Sequence, residues 1–248
     1  MEDVQYDKIA QNEQTHFWFI ARKKIILSII QRLDSHSFAR ILDYGCGSGN
    51  LLITMQKNYP DKEIYGADIS QKALDYCKRR GAKNLIQLNN GEPETNHFDL
   101  VTCLDVIEHI DDDLAFLMHI RQLIRDHGTL ILTVPAYEFL WSGNDYVSRH
   151  KRRYTRSKLK SLLQRAGFHL KKISYFNTFL FLPIFCIVMF NRLFFPKSMY
   201  VSNVKDVQPW INQWLIHLFA SEKWVLKYGS FPFGVSIIAV VTKTGQNS

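Results

Sequence analysis

Hydrophobic positions change period along the chain, and the changes predict alternating helices and strands. From His16 to Leu33, Ile25, Ile26, Ile29, Ile30 and Leu33 recur at helical spacing, behind the aromatic cluster Phe17-Trp18-Phe19. Ile41-Leu42-Asp43 is a short strand entering the turn Gly45-Cys46-Gly47-Ser48-Gly49, and a helix begins at Leu51. Glu63 to Asp68 reads as a second strand, followed by a helix from its N-cap Ser70 towards Arg80. Leu85 to Leu88 is a brief third strand. Phe98 to Leu104 is a fourth, predominantly apolar as a strand covered on both faces must be. A helix over Leu114–Arg125 precedes a strand from Thr129 to Val134, stopped by Pro135. A helix from Thr155 to Ala166, ended by Gly167, and strands at His169–Tyr175 and Gly234–Thr242 complete the series.

This alternation predicts an α/β fold: a seven-stranded, mostly parallel sheet with helices on both faces. Residues 1–176 form the core with its N-terminal helix. Residues 177–232 form a hydrophobic helical insert or substrate lid, and residues 233–248 return the last strand and a tail.

Composition narrows the class. With 46% hydrophobic and 22% charged residues, the 248-residue chain is neither disordered nor a coiled coil. Cys46, Cys77, Cys103 and Cys186 are scattered without a CxxC pair, which argues against a disulfide framework or zinc knuckle. The polar start, MEDVQYDKIAQNEQ, does not read as a secretory signal, so a cytoplasmic protein is expected. The net charge of +8 suits an anionic partner, nucleic acid or anionic lipid, or is simply a solvated basic surface.

The turn after the first strand carries the sharpest chemistry. Glycines at 45, 47 and 49 let the backbone approach a ligand without Cβ clash, and the helix that follows aims N–H groups at it. The spacing is G-x-G-x-G, not the G-x-G-x-x-G of a dinucleotide site. Asp43 before the loop suits an amino group, and Asp68 can accept from both ribose hydroxyls. Together these point to S-adenosylmethionine.

Through ILDYGCGSGN, Asp68, FDLVTCLDVIEHI and GTLILTVP, the sequence resembles the class I S-adenosylmethionine-dependent methyltransferases, a Rossmann-like family. HFWFIAR, the Arg149–Tyr154 stretch and the Pro232–Ser236 stretch resemble a bacterial type 11/12-like subgroup often linked to glycan and lipid-linked saccharide pathways. The resemblance implies that Asp43, Gly45, Gly47 and Gly49 form the cofactor loop and that Asp68 and Ile69 take the ribose and flank the adenine. It implies that Asn90 and Gly91 approach the adenine, that Leu104 and Asp105 lie by the methionyl part, and that Arg22 reaches its carboxylate.

Asp105, Glu108 and His109 read D-x-x-E-H. Two readings stay open. One is a divalent-metal site with His150 as fourth ligand, resembling metal-dependent O-methyltransferases of small RNA and of the ubiquinone pathway. The other, preferred, is a metal-free scaffold in which His109, His150 or Tyr154 is the base. The run Arg149-His150-Lys151-Arg152-Arg153 either captures a phosphate on the acceptor or is a solvated loop.

In the insert, Phe179–Phe190 is apolar but shorter than the ~20 residues of a membrane span. Arg192, Lys197 and Lys205 follow it. From Trp210 to Leu226, the residues Trp210, Ile211, Trp214, Leu215, Leu218 and Phe219 fall along one helical face. That face either lies in a membrane interface, making the protein peripheral at the inner membrane face, or is buried in a helical subdomain or oligomer contact. The preferred acceptor is amphipathic or lipid-linked, methylated on O or N. Its rivals are a metal-assisted RNA 2′-O-methyltransferase and a catalytically silent S-adenosylmethionine-binding partner subunit.

Overall fold

The computed structural model describes residues 7, 10–33, 37–195 and 207–245. Its elements are α1 (Phe17–Arg32), β1 (Arg40–Tyr44), α2 (Asn50–Asn58), β2 (Glu63–Asp68), α3 (Gln71–Arg79), β3 (Leu85–Gln87) and β4 (Phe98–Leu104). They continue with α4 (Asp113–Leu123), β5 (Ile124–Pro135), α5 (Gly143–Ser148), α6 (Arg156–Arg165), β6 (Phe168–Phe176), α7 (Phe181–Phe194), α8 (Pro209–Tyr228) and β7 (Ser236–Lys243). The seven strands form one sheet in the order β3-β2-β1-β4-β5-β7-β6, parallel except for β7, which pairs antiparallel with both β5 and β6.

The strand order decides where chemistry can happen. The carboxyl ends of β1, β2 and β4 open on one edge of the sheet. Pro135 at the end of β5 pairs with Ser236 at the start of β7, and Phe176 at the end of β6 pairs with the same residue. The termini of β5 and β6 therefore extend that edge, as ligand sites in open α/β sheets require. Apolar strand residues and the Ile25, Ile26, Ile29, Ile30 stripe of α1 form the core beneath.

Two expectations are corrected and one element is added. The helix expected to reach Arg125 ends at Leu123, and β5 begins at Ile124. A short helix, α5, forms just before the basic run; its N-cap Ser142 and Asp145 make a reciprocal capping box. On α8, Ile216, Phe219, Ala220 and Leu226 are buried and Ile211, Leu215 and Leu218 half-buried, whereas Trp210 and Trp214 are exposed. The expected single apolar face is split because α8 packs on α1. Trp18 meets Phe219 with ring centroids 5.3 Å apart, and the Asn212 side chain accepts from Phe17 N–H at 2.8 Å. Lys197 and Lys205 lie outside the described residues.

Candidate active site

The glycine loop leaves β1 with φ of +74° at Gly45, +54° at Gly47 and +88° at Gly49. A Cβ at Gly45 would meet Val106 Cγ2 at 2.5 Å, so glycine is required there for packing. A Cβ at Gly47 would meet nothing within 4 Å, so this backbone faces open space. Open backbone of this kind leaves room for a ligand to approach.

Asp68 governs the loop. One carboxylate oxygen accepts from Gly47 N–H and the other from Ser70 N–H, both at 2.9 Å. Burial raises its pKa against the pull of those backbone donors. A carboxylate accepts about four hydrogen bonds, so capacity remains for ribose hydroxyls. Ile69 beside it is 60% exposed, an apolar surface free to flank a planar ring. Leu88 N–H bonds to Asp68 O at 3.1 Å, bringing the turn that holds Asn90 and Gly91 to the same edge.

Asp43 is buried, accepts the Thr102 hydroxyl at 2.6 Å and is pushed up to about 6 by burial. A cavity of about 100 Å³ is lined by Asp43, Gly45, Gly47, Arg22, Glu13 and Leu104, among others. Arg22 there pairs with Asp105, which also accepts the Thr133 hydroxyl at 2.9 Å. The segment before α1 closes over this cavity. Asn50 Nδ2 donates to Glu13 O at 2.8 Å, and Arg80 pairs with the buried Glu13 carboxylate. Sequence reasoning missed Glu13, because a lone glutamate carries no signal until Arg80 is seen opposite it.

Beyond β4, Glu108, His109 and His150 come together, one ligand atom from each lying within 4.8 Å of the others. Asp105 does not join them. Its φ is +56°, and the tight turn begins only at Ile107, so it turns towards Arg22 instead of stacking on residues 108 and 109. The four-ligand metal set expected from D-x-x-E-H is thereby reduced to three. Both Glu108 carboxylate oxygens are buried with no hydrogen-bond partner, and burial raises this group well above the usual carboxylate range. Burial and the neighbouring His150 hold His109 down to about 4, so it is neutral at pH 7.

Asp145, unnoticed in the sequence, organises His150. Burial would raise Asp145, but hydrogen bonds from His150 and Arg153 overcome it and hold this carboxyl well below its ordinary value. An ionised Asp145 can only accept. His150 Nδ1, 2.8 Å away, must therefore carry a proton, so that in the neutral tautomer the lone pair is on Nε2, 3.9 Å from Glu108 Oε1. Arg153 grips both Asp145 oxygens at 2.8 Å and is itself buried.

The basic run is tied down in the same way. Lys151 pairs with Asp111, and Arg152 with Asp113 at 3.1 Å and with the Asp111 carbonyl at 2.7 Å. Three of its four cations thus pair with the chain's own aspartates, Lys151 and Arg152 at the surface and Arg153 in the interior. Tyr154 is buried, donates to Asp113 at 3.0 Å, and has its phenol raised above the ordinary value by burial, so it is no base at neutral pH.

Past β5 the edge turns aromatic. Tyr137 sits at φ 56° and ψ 121°, a costly backbone for a non-glycine residue, with its N–H bonded to Tyr154 O at 2.8 Å. Its ring stacks between Phe139 at 4.9 Å and Tyr175 at 5.0 Å. Phe181 and Phe185 of α7 close on this stack, and Arg192 of α7 donates to the carbonyls of Phe139 and Trp141, both at 3.1 Å.

Comparison with known proteins fits this geometry. A model of the family described as "Methyltransferase domain" matches residues 17–173, more than half of the chain. The ubiquinone biosynthesis O-methyltransferase of Paraburkholderia phymatum is 29% identical over 133 residues, 47% of this chain and 56% of that protein. The chain spans about half the length of the curated relatives it matches. Among solved structures, an S-adenosylmethionine-dependent methyltransferase from Archaeoglobus fulgidus matches with a TM-score of 0.55 and 17% identity, covering 89% of this chain and 94% of that one. The plantazolicin methyltransferase BamL, solved with a desmethylPZN analog and SAH, matches with a TM-score of 0.60 and 15% identity, covering 98% and 89%. At these identities the structural likeness concerns the fold.

Proposed function

This chain belongs to the class I S-adenosylmethionine-dependent methyltransferases, and from that premise we propose that it methylates an oxygen of an amphipathic or lipid-linked acceptor. Bound S-adenosylmethionine supplies an activated methyl group. The chain's own task is to align the acceptor, exclude water and remove a proton. Gly45, Gly47 and Gly49, with Asp43, Asp68, Ile69, Asn90, Gly91, Leu104, Asp105 and Arg22, are the residues we assign to the cofactor.

The observation that carries the acceptor side is the Asp145–His150 pair. With Nδ1 fixed on Asp145, His150 offers Nε2 to an acceptor hydroxyl, and the imidazolium that forms stays beside Asp145 and Glu108. His109, neutral at pH 7, lies edge-on to it with ring centroids 4.8 Å apart. Oxygen is preferred over nitrogen because a hydroxyl needs this base, and because curated relatives are named O-methyltransferases. The aromatic stack at Tyr137, Phe139, Tyr175, Phe181 and Phe185 suits the apolar part of an amphipathic acceptor, met by a peripheral enzyme at an anionic membrane face.

One observation favours a second reading. The unpartnered Glu108 carboxylate with His109 and His150 forms a donor set that suits a divalent transition metal, which would polarise the acceptor oxygen. Full activity in excess chelator removes that reading. Loss in chelator with recovery on adding Mn²⁺ replaces the base mechanism.

The test of the acceptor is mass spectrometry of lipid and RNA fractions from cells with and without the gene. A methylated product in the lipid extract is expected. A methylated nucleotide in its place overturns the proposal in favour of an RNA enzyme, and no product in any fraction favours a silent partner subunit.

A further inference from the structure

The helices α1, α7 and α8 hold seven cations, Arg22, Lys23, Lys24, Arg32, Arg192, Lys223 and Lys227, and a single carboxylate. That carboxylate, Glu222, is fully buried and accepts the backbone N–H groups of Asn177, Thr178 and Phe179. No negative side chain faces outward from these three helices.

On α8, Trp210, Trp214, Trp224 and Tyr228 are 74%, 60%, 63% and 80% exposed. They recur at helical spacing along one stripe, opposite the residues buried against α1. Three of the chain's five tryptophans stand there. Scattered exposed aromatics need no explanation, but a stripe of them marks an interaction surface. Cations accompany the rings. The Lys223 ammonium lies 5.1 Å from the Trp224 ring centroid, and Lys227 and the Arg32 guanidinium lie 5.0 Å and 5.8 Å from that of Tyr228.

We propose that this outer face of α8 docks on an anionic lipid bilayer, with the helix in the plane of the interface. Tryptophan and tyrosine prefer the headgroup level, where an apolar ring and a polar N–H or O–H are both satisfied. Lys223, Lys227 and Arg32 answer the lipid phosphates. A second copy of the chain fits poorly, because two such faces would set cation against cation with no carboxylate between them. Docking is at the surface, since among the described residues no helix is long and apolar enough to cross a membrane. The inference rests on the membrane part of the proposed function and not on the acceptor part. It assigns the contact to the outer face of α8.

The test is flotation of the full chain with phosphatidylcholine vesicles, with and without phosphatidylglycerol. The wild type floats with the anionic vesicles, less at high salt but still measurably, because the aromatic contribution is unscreened. The triple variant W210S/W214S/W224S keeps its circular dichroism and cofactor binding, since all three rings are exposed, and its bound fraction falls at least about tenfold. K223E/K227E loses the preference for anionic vesicles. If the wild type floats with neither vesicle, the peripheral reading and this inference fall together. If the wild type floats and the triple variant floats equally, α8 is not the docking face and the peripheral reading survives alone. If the triple variant instead abolishes a concentration-dependent dimer, the face belongs to a second copy and the inference is overturned.

Discussion

Over β1, β2 and β4 the strand-end edge is built from charges that answer one another, and over β5 and β6 from rings. On the first side, Arg22 meets Asp105, Arg80 meets Glu13, and Asp68 is held by two backbone donors. On the second, Tyr137, Phe139, Tyr175, Phe181 and Phe185 stack, and α7 and α8 turn further aromatics outward. A cofactor of fixed charge is held by groups that cannot shift, because a misplaced buried charge is costly. The apolar acceptor proposed for the other side would be held by surface area, which many ring arrangements supply. The difference explains why one side is read from a motif and the other only from coordinates.

The sharpest attack on this contrast is at its boundary, where the Asp145–Arg153 pair lies under the acceptor side yet is built in the charged style. Arg153→Ala leaves a fully buried Asp145 carboxylate without its bidentate partner. Loss of about 3–5 kcal/mol of stability is expected in urea unfolding. A substrate-binding arginine would instead leave stability unchanged and raise KM.

The next effect comes from Asp43. Its carboxyl is raised from 3.8 to about 6 in the fold, chiefly by burial and against the Thr102 hydroxyl. A raised carboxyl favours folding fully below its unfolded value and loses that contribution as pH rises through the folded one. Without cofactor, stability should therefore fall between pH 4 and pH 6 by about 3 kcal/mol from this group. Asp43→Asn should flatten that part of the profile in thermal melts across pH. An unchanged slope would mean that Asp43 is ionised throughout.

Smaller again is Asp68→Ala. It removes the acceptor assigned to the ribose and should weaken S-adenosylmethionine binding by about 1–3 kcal/mol in calorimetry of the folded variant. Gly47→Val should weaken it further, since its branched side chain fills the open side of the loop. Unchanged affinity in both would remove the cofactor assignment from this loop.

Much of the charged side was legible because local chemistry dictated it. The glycine loop and Asp68 announce a cofactor by residue type and spacing, and β4 runs over Phe98–Leu104 as its apolar run requires. The rest depended on partners distant in sequence. Asp105 adopts a positive φ that no pattern at D-x-x-E-H reveals. The basic run meets Asp111, Asp113 and Asp145, and a signal existed, since the acidic stretch 111–113 could have been weighed against the cations near 150. Hydrophobic period placed Trp210 and Trp214 beside Leu215 and Phe219, but only the packing of α8 on α1 determines which of them is buried.

The smallest expected effect tests the ringed side alone, on the two faces of α7. Phe185 is half-buried, with its ring 5.9 Å from Phe139 and 6.3 Å from Phe181. Leu193, two turns on, is 75% exposed. Phe185→Ser should cost about 1–2 kcal/mol through lost apolar burial and ring contact. Leu193→Ser should change stability by less than about 0.5 kcal/mol, because the residue loses nothing it had buried. Paired denaturation curves measure both. If the helix were buried on all sides by a second chain, Leu193→Ser would cost as much as Phe185→Ser and the loss would grow on dilution. Equal and small effects from both would mean that the inner face is not packed on the Tyr137 stack, and the proposed acceptor wall would lose its α7 side.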